Sequence, residues 1–135
     1  MGSAARQLLF LLGANHRSAP VELRERLYIA EEELTVLLPR IKERFDFLEL
    51  AAISTCNRFE LMGIARESAQ IGAQSALFYD AYLELHRAHG KLSGHQDEET
   101  IRQSVYLHLN DDAVGHIYRV ASSLDSLVLG ETQIT

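Results

Sequence analysis

The stretch AAISTCNRFEL, residues 51–61, contains the single cysteine of the chain among hydrogen-bonding and cationic neighbours. Cys56 follows Thr55 and precedes Asn57 and Arg58. A cation beside a thiol favours the thiolate, which is the nucleophilic form of the side chain. A lone cysteine is also often a small buried hydrophobe. The residues alone therefore leave two interpretations of Cys56 open, a nucleophile and a core residue.

His116 is the second candidate for chemistry, in the segment NDDAVGHIYRVASSL that begins at Asn110. Helical spacing gives this segment a predicted buried stripe of Ala113, Ile117, Val120, Ala121 and Leu124. His116 lies off the stripe and shares a polar face with Asp112, Arg119 and Ser123. A core histidine would be expected on the apolar side, so the position favours a functional role for His116.

Composition and charge limit the class of protein. With 135 residues, 47% of them hydrophobic and 24% charged, the chain is predicted to form one soluble globular domain. The net charge of −6 argues against a general nucleic-acid-binding surface. Arginines in HRSAPVELRER and RIKER are candidates for a local RNA contact, although such residues are more often a solvated helix face.

Cysteine content and apolar runs indicate the compartment. One cysteine cannot form an intramolecular disulfide, which favours a reducing environment. The apolar run from Leu8 to Leu12 is too short for a signal-peptide core or a membrane span, so we expect a cytoplasmic protein with no membrane association. His86, His89 and His95 are accompanied by no zinc-binding spacing, and we expect no metal site.

Residue periodicity predicts the elements that position these side chains. In chain order they are a strand at 7–13 ended by Gly13, a helix at 20–27, a helix spanning Leu34 to Phe45, strands at 47–54 and 59–66 joined by TCNR, a helix at 72–89, a polar loop at 89–100, a strand at 104–109 and a helix from Asn110. Cys56 is thereby predicted to lie at a strand end.

Three blocks of the sequence, GANHRSAPVELRERL, STCNRFEL and HIYRVASSLDSLVLGETQI, resemble the N-terminal catalytic domain of glutamyl-tRNA reductase. They occur in the family's order and span residues 13–134, nearly the whole chain. The resemblance implies that residues 1–135 are this catalytic domain, and that the NADPH-binding and helical dimerisation domains lie outside the chain. Together with the periodicity it predicts an α+β fold, a small mainly antiparallel sheet of about four strands with helices packed largely on one face, similar to ferredoxin-like domains.

The chemistry that the resemblance implies has two stages. The Cys56 thiolate attacks the ester that joins glutamate to its tRNA, which gives an enzyme thioester. Hydride from NADPH then reduces the thioester to glutamate-1-semialdehyde, at the start of tetrapyrrole synthesis. Implied partners are glutamyl-tRNA, a second copy of the full-length enzyme and glutamate-1-semialdehyde aminomutase.

The same resemblance assigns roles to individual residues. Arg58 would hold a glutamate carboxylate, a task that suits a guanidinium fork, and Thr55 and Asn57 would line the same pocket. His116 would act as an acid or base, or orient the substrate. Further substrate contacts are implied at Ser126, Glu131, Thr132 and Gln133, and from its charge we expect Glu131 to pair with the α-ammonium group.

The chain departs from the family pattern in several places. Ser18, Phe59, Ser123 and Thr132 replace Thr, Thr, Gly and Pro, and we expect Phe59 to change the wall beside Arg58. No Gly-x-Gly-x-x-Gly motif occurs, so we expect the chain to form the thioester without reducing it with NADPH.

Two other classes of function remain open from the sequence. A noncatalytic module that docks tRNA or a regulatory protein would retain all of its properties in a Cys56→Ser variant. A thiol redox sensor would form a sulfenic acid or a mixed disulfide at Cys56 under mild oxidation, although the chain has no resolving cysteine.

Overall fold

The computed structural model describes residues 6–68, 71–121 and 128–130. The elements in these ranges are, in chain order, β1 Gln7–Asn15, α1 Val21–Leu27, α2 Glu31–Arg44, β2 Glu49–Ser54, β3 Arg58–Arg66, α3 Ile71–His89, α4 His95–Ser104, β4 Tyr106–Leu109, α5 Asn110–Ala121 and β5 Val128–Leu129. The predicted helices and strands are all present, and β1 extends two residues beyond Gly13 to Asn15. None of the helices in the described ranges is long and apolar enough to cross a membrane.

The strands form one sheet in the order β4-β1-β3-β2-β5, and every pairing is antiparallel. The first four strands and the helices between them give the β-α-β-β-α-β arrangement of ferredoxin-like domains, with helix pairs in both connections. The predicted α+β class is confirmed. The expected number of about four strands was too low, because β5 has two residues and is too short to show strand periodicity.

One face of the sheet carries the main hydrophobic core. Along β1, Leu8, Phe10 and Leu12 point to this face, where they are buried against helices α1 to α3. The Phe10 ring stacks on Phe78 of α3 at 4.2 Å and lies 4.8 Å from Phe47. The predicted helix α2 buries Leu34, Leu37, Leu38 and Ile41 here.

The opposite face is covered by α5. Ala113 is fully buried in a small cluster with Leu11, Ile53 and Met62, which come from three neighbouring strands. Ala121 is exposed, contrary to the predicted stripe, and Leu124 lies outside the described residues. The expectation that the helices pack largely on one face is confirmed, since α5 is the only helix of the described ranges that lies on the other side.

Helix α4 corrects the predicted polar loop at 89–100. Its side chains are mostly polar, and Ile101 is the one apolar residue that it buries. Asp97, buried at its first turn, accepts hydrogen bonds from the Ser93 backbone N–H at 2.6 Å and from Arg26 of α1 at 2.8 Å. Polar contacts to other segments therefore hold this helix in place. Because such contacts need no apolar stripe, the sequence of the helix shows no apolar periodicity.

Phe59 also differs from its prediction. Its side chain is buried in the main core, where its ring lies 5.7 Å from Tyr82 and 4.5 Å from His86. Successive side chains of a strand point to opposite faces, so Phe59 and Arg58 lie on different sides of the sheet. Phe59 therefore does not form the wall beside Arg58.

His86 is a fully buried histidine that joins α3 to α1. Its Nδ1 lies 2.9 Å from the Tyr82 carbonyl oxygen and its Nε2 3.2 Å from that of Leu27. Burial lowers the pKa of His86 to about 4, and the two carbonyl oxygens offset only part of that effect. The side chain is therefore neutral at neutral pH, and its single ring N–H donates to one of the two carbonyl oxygens.

His86 predicts an acid-sensitive stability. The unfolded chain has the ordinary histidine pKa of about 6.5 and binds more protons than the folded chain below that pH. The free energy of unfolding should therefore fall by as much as about 3 kcal/mol as the pH is lowered from about 6.5 to 4. Urea denaturation across this range measures the loss.

A His86→Gln variant should lack this component of the pH dependence, because glutamine donates hydrogen bonds without titrating. His95→Gln is the matched control, since His95 is exposed, and it should keep the wild-type slope. If the free energy of unfolding of His86→Gln fell with pH as steeply as that of the wild type, His86 would not be the source of the acid sensitivity.

Candidate active site

Cys56 lies in the three-residue connection between β2, which ends at Ser54, and β3, which begins at Arg58. The Thr55 N–H donates to the Arg58 carbonyl at 2.9 Å, and Thr55 Oγ1 accepts the backbone N–H groups of Asn57 and Arg58, both at 3.2 Å. These bonds fix the turn and leave Cys56 exposed. The core-residue interpretation of Cys56 is therefore wrong.

Asn57 is tied to helix α1 by Arg24. The Arg24 guanidinium donates to Asn57 Oδ1 at 3.3 Å, and its Nε donates to the Ala19 carbonyl at 3.3 Å. Arg24 belongs to the arginine cluster that the sequence suggested as an RNA contact or a solvated helix face. The structure gives it a contact with the turn that carries Cys56.

Arg58 is oriented by a carboxylate that the sequence reasoning missed. Glu60 follows two residues later in β3, on the same face of the sheet, and Arg58 Nη1 donates to Glu60 Oε1 at 3.1 Å. The Arg58 side chain is 15% exposed and that of Glu60 is fully buried. A charged residue between Phe59 and Leu61, both buried, was the one signal in the sequence.

Three side chains are hydrogen-bonded to the Glu60 carboxylate. Besides Arg58, Tyr106 Oη donates to Glu60 Oε2 at 2.6 Å, and His116 Nε2 is hydrogen-bonded to the same oxygen. Strand register explains the meeting, because Gly13 of β1 pairs with Glu60 on one side and with Tyr106 on the other. Four elements, β1, β3, β4 and α5, therefore build this cluster.

The Tyr106 phenol remains a proton donor. Burial, and then the negative charge of Glu60, hold the pKa of Tyr106 well above its usual value. Asn15 Nδ2 lies 3.4 Å from Tyr106 Oη and donates to it. The phenol proton is therefore directed to Glu60.

His116 faces the sheet, although it lies off the apolar stripe of α5. Its side chain is 12% exposed. Its ring centroid lies 5.2 Å from that of Tyr106 and 4.7 Å from that of His108. His116 thus packs against a polar part of the sheet, which sequence periodicity could not reveal, whereas Asp112 and Arg119 of the predicted polar face are exposed.

The structure places Thr55, Cys56, Asn57, Arg58 and His116 at one end of the sheet. Hydrogen bonds there join Thr55 to Arg58, Arg58 to Glu60 and Glu60 to His116. The other predicted substrate residues, Ser126, Glu131, Thr132 and Gln133, lie outside the described residues. So does Ser123.

The histidines considered for a metal are separated by their contacts. His86 is buried in the core, His89 Nδ1 is hydrogen-bonded to Glu33, and His95 begins α4. Within the described ranges, no three side chains of His, Cys, Asp or Glu are grouped so that they could hold a metal ion.

Gly13 provides the space for this carboxylate cluster, which yields a prediction. A Cβ atom on Gly13 would lie 2.6 Å from Glu60 Cγ and 3.0 Å from Tyr106 Oη. Gly13→Ala should therefore displace both side chains and lower the free energy of unfolding by about 1–3 kcal/mol, measured by urea denaturation.

Gly72→Ala in α3 is the control for this change, since nothing lies within 4 Å of a Cβ at that position. Removing a helical glycine should leave stability unchanged or raise it by up to about 1 kcal/mol. Equal effects of the two substitutions would contradict the assigned role of Gly13.

Known proteins are similar to this chain in sequence and in fold. The family described as glutamyl-tRNA(Glu) reductase, N-terminal domain, matches residues 12–135. A glutamyl-tRNA reductase of Sulfurihydrogenibium sp. is 35% identical over 94% of this chain and 26% of its own length. That of Pseudomonas savastanoi pv. phaseolicola is 42% identical over 91% of this chain and 26% of its own length. The chain thus spans about a quarter of the length of these curated relatives.

A solved structure supports the fold. The glutamyl-tRNA reductase from Methanopyrus kandleri matches with a TM-score of 0.52 and 23% sequence identity, over 87% of this chain and 23% of that chain. At this identity the similarity concerns the fold alone. The family match, which extends over almost the whole sequence, shows that the chain belongs to the N-terminal domain family of the glutamyl-tRNA reductases.

Proposed function

We propose that this chain carries out the thioester-forming half of the glutamyl-tRNA reductase reaction, with Cys56 as the nucleophile. The observation that carries the proposal is an exposed thiol in a hydrogen-bonded turn, two residues before an arginine that a buried carboxylate orients. A core cysteine would be buried, whereas this thiol is exposed beside a fixed cation.

The proposed step exchanges one acyl bond for another. The Cys56 sulfur attacks the ester carbonyl of glutamyl-tRNA, a bond forms between sulfur and the acyl carbon, and the acyl–oxygen bond breaks. The electron pair of that bond goes to the ribose oxygen of the tRNA, which takes up the proton that the thiol gave up. His116 is the proposed acid and base for this transfer, or orients the substrate.

Substrate recognition is assigned to Arg58 and to the turn. Glu60 accepts a hydrogen bond from one guanidinium nitrogen of Arg58, Nη1. A guanidinium carries five N–H donors and can bind a second carboxylate. Because Glu60 already holds the guanidinium, less side-chain entropy is lost when a glutamate carboxylate binds. Thr55 and Asn57 complete this side of the proposed pocket.

The remaining proposed substrate contacts come from the C-terminal block of the family motif. Ser126, Glu131, Thr132 and Gln133 are assigned to them by the resemblance, with Glu131 opposite the α-ammonium group. An acidic group is the fitting partner for that cation, and it would distinguish glutamyl-tRNA from a substrate without a free amine.

NADPH is the reductant in the proposed reaction of the whole enzyme. The described residues do not fit a dinucleotide, because the loop from β1 to α1, residues 16–20, has no glycine, and the strands pair only antiparallel. Reduction, homodimer formation, contact with glutamate-1-semialdehyde aminomutase and cytoplasmic location all belong to the proposal for the whole enzyme.

Mass spectrometry after incubation with glutamyl-tRNA and an acid quench tests the proposed nucleophile. We expect a glutamyl adduct on Cys56 that hydroxylamine removes, as a thioester requires. Cys56→Ser is the control and should carry no such adduct. An intact, folded chain that remains unmodified while the tRNA stays charged would refute the half-reaction and favour a docking module, and oxidation of Cys56 alone would favour a redox sensor.

The role of Arg58 predicts a selective loss of transfer rate. Arg58→Lys keeps the charge but removes the fork that binds a carboxylate through two bonds, so adduct formation at limiting substrate should slow about tenfold to a hundredfold. Quenched-flow sampling of the adduct measures this rate.

Arg66→Lys is the matched control, because Arg66 ends the same strand and pairs with Asp46 at the far end of the sheet. It should leave the rate within a factor of about two, as expected for an exposed ion pair. An equal loss in both variants would point to a general effect of charge or stability.

A further inference from the structure

The Glu60 carboxylate is fully buried and takes no part in the step described above. Its three partners include both residues to which that step assigns substrate work, Arg58 and His116. We propose that Glu60, held by Tyr106, is a positioning residue that keeps the proton of neutral His116 on Nε2, so that Nδ1 is the nitrogen that exchanges protons during glutamyl transfer. This inference rests on the proposed function.

The hydrogen bonds that Glu60 accepts determine which nitrogen of His116 is protonated. Arg58 and Tyr106 both donate to the carboxylate, at 3.1 Å and 2.6 Å. A carboxylate that accepts these bonds has no proton to give, so the His116 nitrogen that faces it must be the protonated one. In the neutral imidazole the other nitrogen, Nδ1, then carries the lone pair.

Tyr106 donates its own hydrogen bond to the Glu60 carboxylate. The phenol accepts from Asn15 and donates to Glu60, and its raised pKa keeps the proton on its oxygen. Tyr106 therefore shares Oε2 with His116 as a second donor. The missing side chain at Gly13 makes room for both Glu60 and Tyr106.

The charged and titratable surroundings of His116 come from three elements. Strand β3 contributes Glu60 and Arg58, β4 contributes Tyr106 and His108, and α5 contributes Asp112 and Arg119. Burial lowers the pKa of His108, and protonation of His116 would lower it further. This neighbour therefore remains uncharged at neutral pH. Within these surroundings Glu60 is the carboxylate in hydrogen-bond contact with the ring.

Nuclear magnetic resonance of the chain with ¹⁵N-labelled histidine tests the tautomer directly. Long-range ¹H–¹⁵N correlations, recorded above the titration midpoint observed for His116 in the same sample, should show the Nε2–H form as the dominant species. A dominant Nδ1–H form in the wild-type chain would overturn the inference without any variant.

Glu60→Gln should raise the Nδ1–H population severalfold, because glutamine offers one acceptor oxygen to three donors. Glu49→Gln is the matched control, since Glu49 is exposed on the neighbouring strand β2, and it should leave the tautomer unchanged. An unaltered tautomer in folded Glu60→Gln would contradict the role of Glu60.

The rate of glutamyl transfer to Cys56 provides the functional readout. At saturating glutamyl-tRNA, Glu60→Gln should slow transfer about tenfold or more, as loss of a positioned acid–base group does, and Glu49→Gln should not. Equal saturating rates would refute the positioning role. Absence of transfer in the wild-type chain would instead refute the proposed function, and the tautomer would still decide whether Glu60 sets the proton of His116.

Discussion

A carboxylate removed from water lowers the stability of a protein by several kcal/mol unless donors replace its hydration. Glu60 meets this requirement with Arg58, Tyr106 and His116, which come from β3, β4 and α5. Each of these elements must be in register for the carboxylate to be satisfied. The burial of one acidic group thus links the correct pairing of the sheet to the geometry of the proposed active site.

The two faces of the sheet divide the work of the domain. Along β3, Phe59 and Leu61 enter the core under α1 to α3, while Arg58 and Glu60 point to the face covered by α5. The same strand therefore anchors the fold and presents the polar cluster. The turn before it holds Cys56 at the end of the strand with its side chain exposed.

Local sequence signals predicted what depends on neighbours in the chain. The strand end at Cys56, helix α2 and the antiparallel pair β2–β3 all follow from periodicity and turn residues. Glu60 could not be assigned in this way, because two of its three partners, Tyr106 and His116, lie 46 and 56 residues further along the chain. The orientation of Phe59 follows from strand alternation alone, which places it on the opposite face of the sheet from Arg58.

Other differences have separate physical causes. Helix α4 is held by polar contacts of Asp97, so apolar periodicity is missing from its sequence. Strand β5 is formed by pairing with Ala51 and Ala52, which the two residues themselves do not encode. The roles of Arg58 and His116 come from the family resemblance, whereas the contacts that join them through Glu60 come from the structure.

A double-mutant cycle on the rate of glutamyl transfer to Cys56 tests the link through Glu60 most directly. The cycle compares the wild-type chain with Arg58→Lys, His116→Asn and the double variant at one glutamyl-tRNA concentration. Because both residues share one carboxylate, the loss in the double variant should be smaller than the product of the single losses by a factor of about three or more. If the single losses multiply to the double loss within experimental error, the two residues act independently. That result would contradict their coupling through Glu60.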